Sequence, residues 1–333
     1  MSIRPVCVTA MKMTPRKISL DVGGTFVKCS DGRKVPVDSD GSREAIAAAL
    51  REAVGPLEGL ESVGVCIPGP FDYREGIFLM KHKFAAVYGE RFADLVQGPA
   101  AIFHFIHDVN APLQGLLRMH PELRQGRVAL VTLGTGLGFS YAIDGEIQMN
   151  ENLSPAVSLY NRPYKDGVLE DYVSRRALLR YYGKPLEGDV REMSERARAG
   201  EPKAAEAFLA AGRAFAEGAG PLLGELGIST VWFGGQIAKS FDLMRPAAEP
   251  LLEGILLRVA EDFEQAALQG VDGQRQRVRF RRRSLDKRAG VLNDDLAVLR
   301  HSRQGGPEAQ QTGQQRRDKA FDQGIISFLY ITA

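Results

Sequence analysis

The chain has 333 residues, 44% of them hydrophobic and 25% charged, an ordinary globular composition long enough for one large or two medium domains. Its 43 Lys+Arg against 41 Asp+Glu leave a net charge of +2, which gives no reason to expect nucleic acid or an anionic membrane as partner. Three cysteines without C-x-x-C spacing point to free thiols in the cytoplasm, no apolar run approaches the ~20 residues of a spanning helix, and "VCVTAM" is too short for a signal peptide.

Met11 and Met13 fall just before the first apolar run, so translation is expected to start at Met1 or at Met11; residues 1–16 read as an N-terminal extension, whose first ten residues carry no function if the start is Met11. Residues 17–37, "KISLDVGGTFVKCSDGRKVPV", give three short runs broken at Gly23-Gly24 and Asp31-Gly32, which predicts a meander of antiparallel strands. Ser42 then precedes "REAIAAALREAV", a helix with an N-cap. "SVGVCIPGP" reads as a buried strand stopped by Pro and Gly. A long polar segment follows, and then "AAIFHFIHDVNAPLQGLLRMH", a strand, a short turn and a helix.

"RVALVTLGTGLGFSYAIDGE" supplies a second strand pair about a glycine turn roughly 110 residues after the first, a spacing that suits two related halves rather than a solenoid. Helical stretches follow in "GVLEDYVSRRALLRYY" and "EPKAAEAFLAAGRAFAEGAGPLLGEL", then the buried strand and turn "STVWFGGQ". The alternation predicts an α/β protein. From Val271 onward there are 13 Lys+Arg against 7 Asp+Glu, which leaves 30 against 34, a net −4, in the chain before it.

A glycine pair between strands is either a tight hairpin or a turn that brings backbone N–H groups to a phosphate, through φ > 0 or close approach. Gly23-Gly24 and "GTGLG" at 134–138 both qualify. Asp21 lies in an apolar strand, where an ionised carboxylate is costly unless a cation is near; a Mg²⁺ held through water would supply one. Asp108 ends the strand "AIFHFIHD", where open α/β folds place ligands. It is either a helix N-cap, a role open equally to Asn110, or a chemical group.

In their order and spacing, "DVGGT", "IPGP", "HDVNA", "LGTGLG", "GVLEDYVS" and "FGGQ" resemble the ROK family of sugar kinases within the actin-like ATPase superfamily, over about residues 17–265. The resemblance implies two α/β domains of actin-like, ribonuclease H-like fold with a ligand cleft between them, here residues 17–109 and 110–300. It implies ATP and Mg²⁺ as cofactors, a hexose such as glucose as substrate, and a homodimer. By position, Asp21, Gly23, Gly24, Thr25 and Lys28 resemble the first phosphate loop, with Asp21 on Mg²⁺ through water; Gly134, Thr135, Gly136 and Gly138 resemble the second, and Gly234, Gly235 and Gln236 the adenosine-side turn. Asp108 matches the general base, while Gly69, Pro70, His82, His107 and Glu170 fall with Asp108 where the sugar binds.

The departures are specific. His107 stands where the family commonly has Asn, "NENLSPAVSLYN" has no clean counterpart of an E-x-G-H run although Glu151 or Ser158 could substitute, and "NRPYKDGVLE" carries no cysteine cluster, so no zinc is expected. A DNA-binding role is not expected, because ROK repressors carry a winged helix before the first phosphate loop and the stretch ahead of Asp21 is too short to form one. The basic "RQRVRFRRRSLDKRAG" reads as a solvated face, and "AGVLNDDLAV" as the place of the family's small-residue last helix, with acids where small residues belong. Residues 301–333 read as a disordered tail ending in the apolar "GIISFLYITA". Two other readings stay open: a catalytically weak sugar- or nucleotide-binding protein, and a glucokinase that uses polyphosphate.

Overall fold

A computed structural model describes residues 16–186 and 189–271. The expectations for the N-terminal extension, the basic stretch, the "AGVLNDDLAV" segment and the tail lie outside these residues.

The first predicted meander forms as β1 (Arg16–Val22), β2 (Phe26–Cys29) and β3 (Lys34–Pro36), antiparallel throughout. Ser42 accepts the Ala45 N–H at 3.3 Å and starts α1 (Arg43–Val54). The chain returns parallel to β1 as β4 (Leu60–Ile67), and β7 (Phe103–His107) extends the sheet from β4. The first sheet therefore has the order β3-β2-β1-β4-β7.

The stretch between β4 and β7, expected to be polar, has 18 hydrophobic residues among its 35 and forms an aromatic layer. The short hairpin of β5 (Phe71–Asp72) and β6 (Ile77–Phe78) and the helix α2 (Phe92–Leu95) bury Phe71, Phe78 and Phe92 against Phe103 and Phe105, with ring centroids 5.2–6.4 Å apart. These rings carry no helical or strand period, so pattern reading passes over them.

After α3 (Asn110–Met119), the second predicted hairpin forms as β8 (Arg127–Leu133) and β9 (Leu137–Ile143), continued by β10 (Glu146–Ile147). A small hairpin, β11 (Pro163–Tyr164) with β12 (Gly167–Val168), leads to α4 (Glu170–Val173), α5 (Arg175–Tyr182), α6 (Asp189–Arg198) and the long α7 (Pro202–Glu225). Then β13 (Thr230–Gly234) lies parallel to β8, α8 (Phe241–Ala248) crosses over, and β14 (Leu256–Val259) lies parallel to β13. The second sheet is β10-β9-β8-β13-β14, the same arrangement as the first, a meander followed by two parallel strands.

Side chains alternate across a strand, and here the alternation separates two layers. Ile18, Leu20, Val22, Val63, Val65 and Ile67 face the α1 and aromatic side of the first sheet. On its other face Cys66 and Ile106 pack on Ala111 of α3 and Val271 of α9 (Phe263–Val271). The same two helices cover β8, β9 and β13 through Leu113, Leu116, Leu117 and Ala266, while α7 and α8 cover the far face of the second sheet. The helices α3 and α9 thus lie between the sheets and cross at backbone contact: an added Cβ on Gly115 would stand 1.8 Å from the Ala266 carbonyl oxygen, and one on Gly270 equally close to that of Ala111. Among the described residues, α9 (Phe263–Val271) is a helix whose Ala266 and Gly270 allow this close packing.

Candidate functional site

The alternation that buries Leu20 and Val22 turns Asp21 to the opposite face, where its partners are Lys28 across the hairpin and Cys66 on β4. Burial pushes the Asp21 carboxyl above its ordinary range, and the charges of Asp108 and Glu264 add to this while Lys28 and the Cys66 thiol oppose it. Lys28 Nζ donates to Glu264 Oε1 of α9 at 2.8 Å, and Gln236 Nε2 reaches the same oxygen at 3.4 Å. Glu264, which the sequence reading passed over, so ties the first glycine turn to the third; the Lys28 bond holds its carboxyl below the ordinary range.

Asp108 follows β7, with its N–H on the Ile67 carbonyl at 3.2 Å. It does not cap α3: neither its side chain nor that of Asn110 does so. Asn110 is fully buried instead, accepting from Ser140 Oγ at 2.7 Å and donating to the Leu153 carbonyl at 3.3 Å. Burial alone would raise the Asp108 carboxyl. The His107 ring, with Nδ1 2.8 Å from Oδ1, outweighs it together with Lys83 and the Val109 N–H, and the group sits below its ordinary range. A carboxylate at a strand end, kept ionised by its neighbours, fits a proton acceptor.

The cation beside Asp108 is Lys83, whose aliphatic stem runs past Gly24: an added Cβ there would lie 3.7 Å from Cε and 3.2 Å from Ser39 Oγ. His82, expected among the sugar contacts, is exposed in the loop before it. The signal that could have found Lys83 was its place one residue on from His82. Gly69 and the cis-linked Pro70 stay near the base, since an added Cβ on Gly69 would stand 3.4 Å from His107 Nε2 and 3.3 Å from the Tyr73 hydroxyl.

Of the glycines expected at the phosphate and adenosine turns, Gly235 alone has positive φ, at 93°. Among the described residues, no protein acceptor takes the N–H groups of Gly24 and Thr25 on the first turn or of Thr135 and Gly136 on the second. Gly138 serves packing, for an added Cβ would fall 2.4 Å from a Val109 methyl and 2.2 Å from Thr132 Oγ1. Gly234 makes room for the Phe263 ring, 2.1 Å from an added Cβ. Glu170 sits on the second turn: its Oε2 accepts the Leu137 N–H at 2.9 Å, and Arg176 approaches Oε1 at 3.4 Å.

Beside the second and third turns opens a cavity of about 670 Å³ walled by Thr135, Gln236, Arg175, Arg191, Arg198 and Lys239, with Asp189 and Glu195 among the acids. Arg175 is held by Asp189 at 2.6 Å and Arg198 by Asp242 at 2.8 Å. Mg²⁺ needs only one or two carboxylates besides waters and substrate phosphates. Asp21 is a single carboxylate whose ionisation is opposed by burial, Asp108 and Glu264 and favoured by Lys28 and Cys66, and among the described residues no group of three or more His, Cys, Asp or Glu could hold a metal ion.

The chain matches no protein-family model and no curated protein sequence. Solved structures do match. A ROK family glucokinase from Streptomyces griseus, in complex with glucose and AMPPNP, is 24% identical with a TM-score of 0.61, covering 77% of this chain and 97% of its own. A ROK hexokinase from Thermus thermophilus is 23% identical with a TM-score of 0.54, covering 76% and 95%. A ROK family transcriptional regulator is 16% identical with a TM-score of 0.61, covering 76% of each chain. The fold is that of the ROK proteins, the actin-like α/β architecture expected from the motifs.

Proposed function

We propose that this protein phosphorylates a hexose from ATP with Asp108 as general base. The observation that carries the reading is Asp108 itself, a carboxylate at a strand end kept ionised by His107 and Lys83, next to Asp21 and a glycine turn with open N–H groups. Phosphoryl transfer asks the protein mainly for positioning and charge neutralisation. Asp108 takes the hydroxyl proton as the sugar oxygen bonds to the γ-phosphorus and the bond to the ADP oxygen breaks. Lys83 and the N–H groups of Gly24, Thr25, Thr135 and Gly136 face the phosphates, and the cavity beside Gln236 takes the adenosine. Asp21 would hold Mg²⁺ through water, and the ion supplies charge neutralisation on the phosphates when bound. Gly69, Pro70 and His107 border the sugar.

Coupled detection of ADP release across a panel of hexoses tests this. Turnover on glucose or a related sugar supports it; ATP binding without turnover on any sugar supports a binding protein, the reading that His107 in place of Asn favours. The cations around the cavity beside Gln236 favour a trial of polyphosphate as donor in the same assay.

A further inference from the structure

His107 and Asp108 are adjacent in sequence but belong to different layers. The alternation of β7 sends His107 to the same face as Phe103 and Phe105, and its register partner is Ile67. There its ring lies 5.6 Å from that of Tyr73, whose hydroxyl is spent on the Ile67 carbonyl at 3.1 Å. The imidazole is wedged between Tyr73 and the Gly69 turn. Asp108, past the strand end, lies within range of the Asp21 charge. His107 reaches across with Nδ1, 2.8 Å from Oδ1; the histidine side chain is 18% exposed and that of Asp108 40%. One oxygen of the carboxylate is pinned from behind and the group as a whole is open in front.

We infer that His107 is a positioning residue for the base: its Nδ1–H pins Asp108 Oδ1 from the aromatic layer, so that Oδ2 keeps the orientation in which it receives the substrate proton. This rests on the kinase reading above. A ring nitrogen so close to a carboxylate oxygen carries the proton. The Val109 N–H points at Nδ1 as a donor at 3.3 Å and also bonds the Asp108 carboxylate; with the proton on Nδ1 it is left to the carboxylate. In the neutral ring Nε2 is left as a bare acceptor at the Gly69 turn, which suits a hydroxyl donor such as a sugar. The anchoring pair is unlike the Asn-Asp pair common in the family, where the amide offers donor and acceptor at once. The charged and titratable groups that face Asp108 are Asp21 on β1, Cys66 on β4, Tyr73 after β5, and Lys83 with His107. The Asp108 charge raises the pKa of the first three, and the last two favour its ionised form.

The test compares His107→Phe, which fills the wedge without a donor, and His107→Asn, whose amide N–H can reach the same oxygen; thermal melts check that both are folded. His107→Phe is expected to lower kcat on the order of 10²-fold, the cost of a misplaced reacting group, with KM for ATP unchanged. It should also move the acid limb of the kcat–pH profile upward, because Asp108 loses a group that favours its charged form. His107→Asn should recover most of the rate and return the limb. A His107→Phe enzyme within twofold of wild type with the same acid limb, or a His107→Asn enzyme no better than His107→Phe, overturns the inference. Imidazole ¹⁵N NMR of the unliganded protein separates this from the kinase reading: the Nδ1–H tautomer in wild type, lost in Asp108→Ala, supports the clamp even if no sugar is turned over, and an Nε2–H tautomer in wild type overturns it.

Discussion

The two five-stranded sheets share one strand order, yet what stands at the ends of equivalent strands differs in kind. In the first sheet β1 ends in Asp21-Val22 and β7 is followed by Asp108, two acids near enough for the charge of one to act on the other. In the second, the equivalent of β1 is β8, which runs into Gly134-Thr135 and has no acid, and β13 ends at Gly234. A repeated frame has been given two tasks: one half supplies the carboxylates, and the other supplies backbone N–H groups and a cavity walled by Arg and Lys.

The sharpest way to break this division is to remove the acid that defines the first half. Asp108→Asn is nearly isosteric and still accepts from His107, so fold and sugar binding are expected to persist while kcat falls by roughly 10²–10⁴-fold. Near-normal kcat would return Asp108 to a structural role. A smaller effect separates glycines that pack from glycines that admit phosphate. Gly138→Ala drives a methyl into Val109 and Thr132 and should cost about 1–3 kcal/mol as overpacking, seen as a lower melting temperature. Gly24→Val meets Ser39 and the Lys83 stem and should leave the melt nearly unchanged while raising KM for ATP several-fold; superimposable ATP titrations would make that turn merely a hairpin.

The smallest effect is a gain. Burial raises the Asp21 carboxyl and the Asp108 charge adds to it, so the folded state holds that proton more tightly than the unfolded chain does. The ionised group therefore costs stability in full above its folded pKa; the cost declines as pH falls below that value and is gone below the pKa of the unfolded chain. Asp21→Asn is expected to raise the neutral-pH melting temperature by roughly 1–2 °C, the effect of about 1 kcal/mol in a chain of this size. The difference should close as pH is lowered, and KM for Mg·ATP should rise. A variant that melts lower at neutral pH would show that Asp21 is already neutralised by Lys28.

Both hairpins, Ser42 at its cap and the acids at 21 and 108 were legible because strand period, turn glycines and capping act over a few residues. What was not legible depends on partners distant in sequence. Lys83 gains meaning from Gly24 and Asp108, Glu264 from Lys28 at the other end of the described chain, and Gly138 from Val109. The aromatic layer between β4 and β7 hid for another reason: its rings sit in turns and very short elements, where no period exists to read. Asn110 misled in the opposite sense, since a residue type favoured at helix starts was spent on Ser140 and Leu153 inside the core.

The contact between α9 and the first sheet bears on how the chain is made. An added Cβ on Gly64 of β4 would lie 2.2 Å from the Val271 carbonyl oxygen, so the cleft face of the earliest sheet is closed by the last described helix. At the usual pace of synthesis a ribosome needs on the order of ten seconds or more to pass from β1 to α9. Through that interval the nascent sheet holds Cys66 and Ile106 with only the α3 part of their cover, and the Cys66 face is completed when α9 arrives.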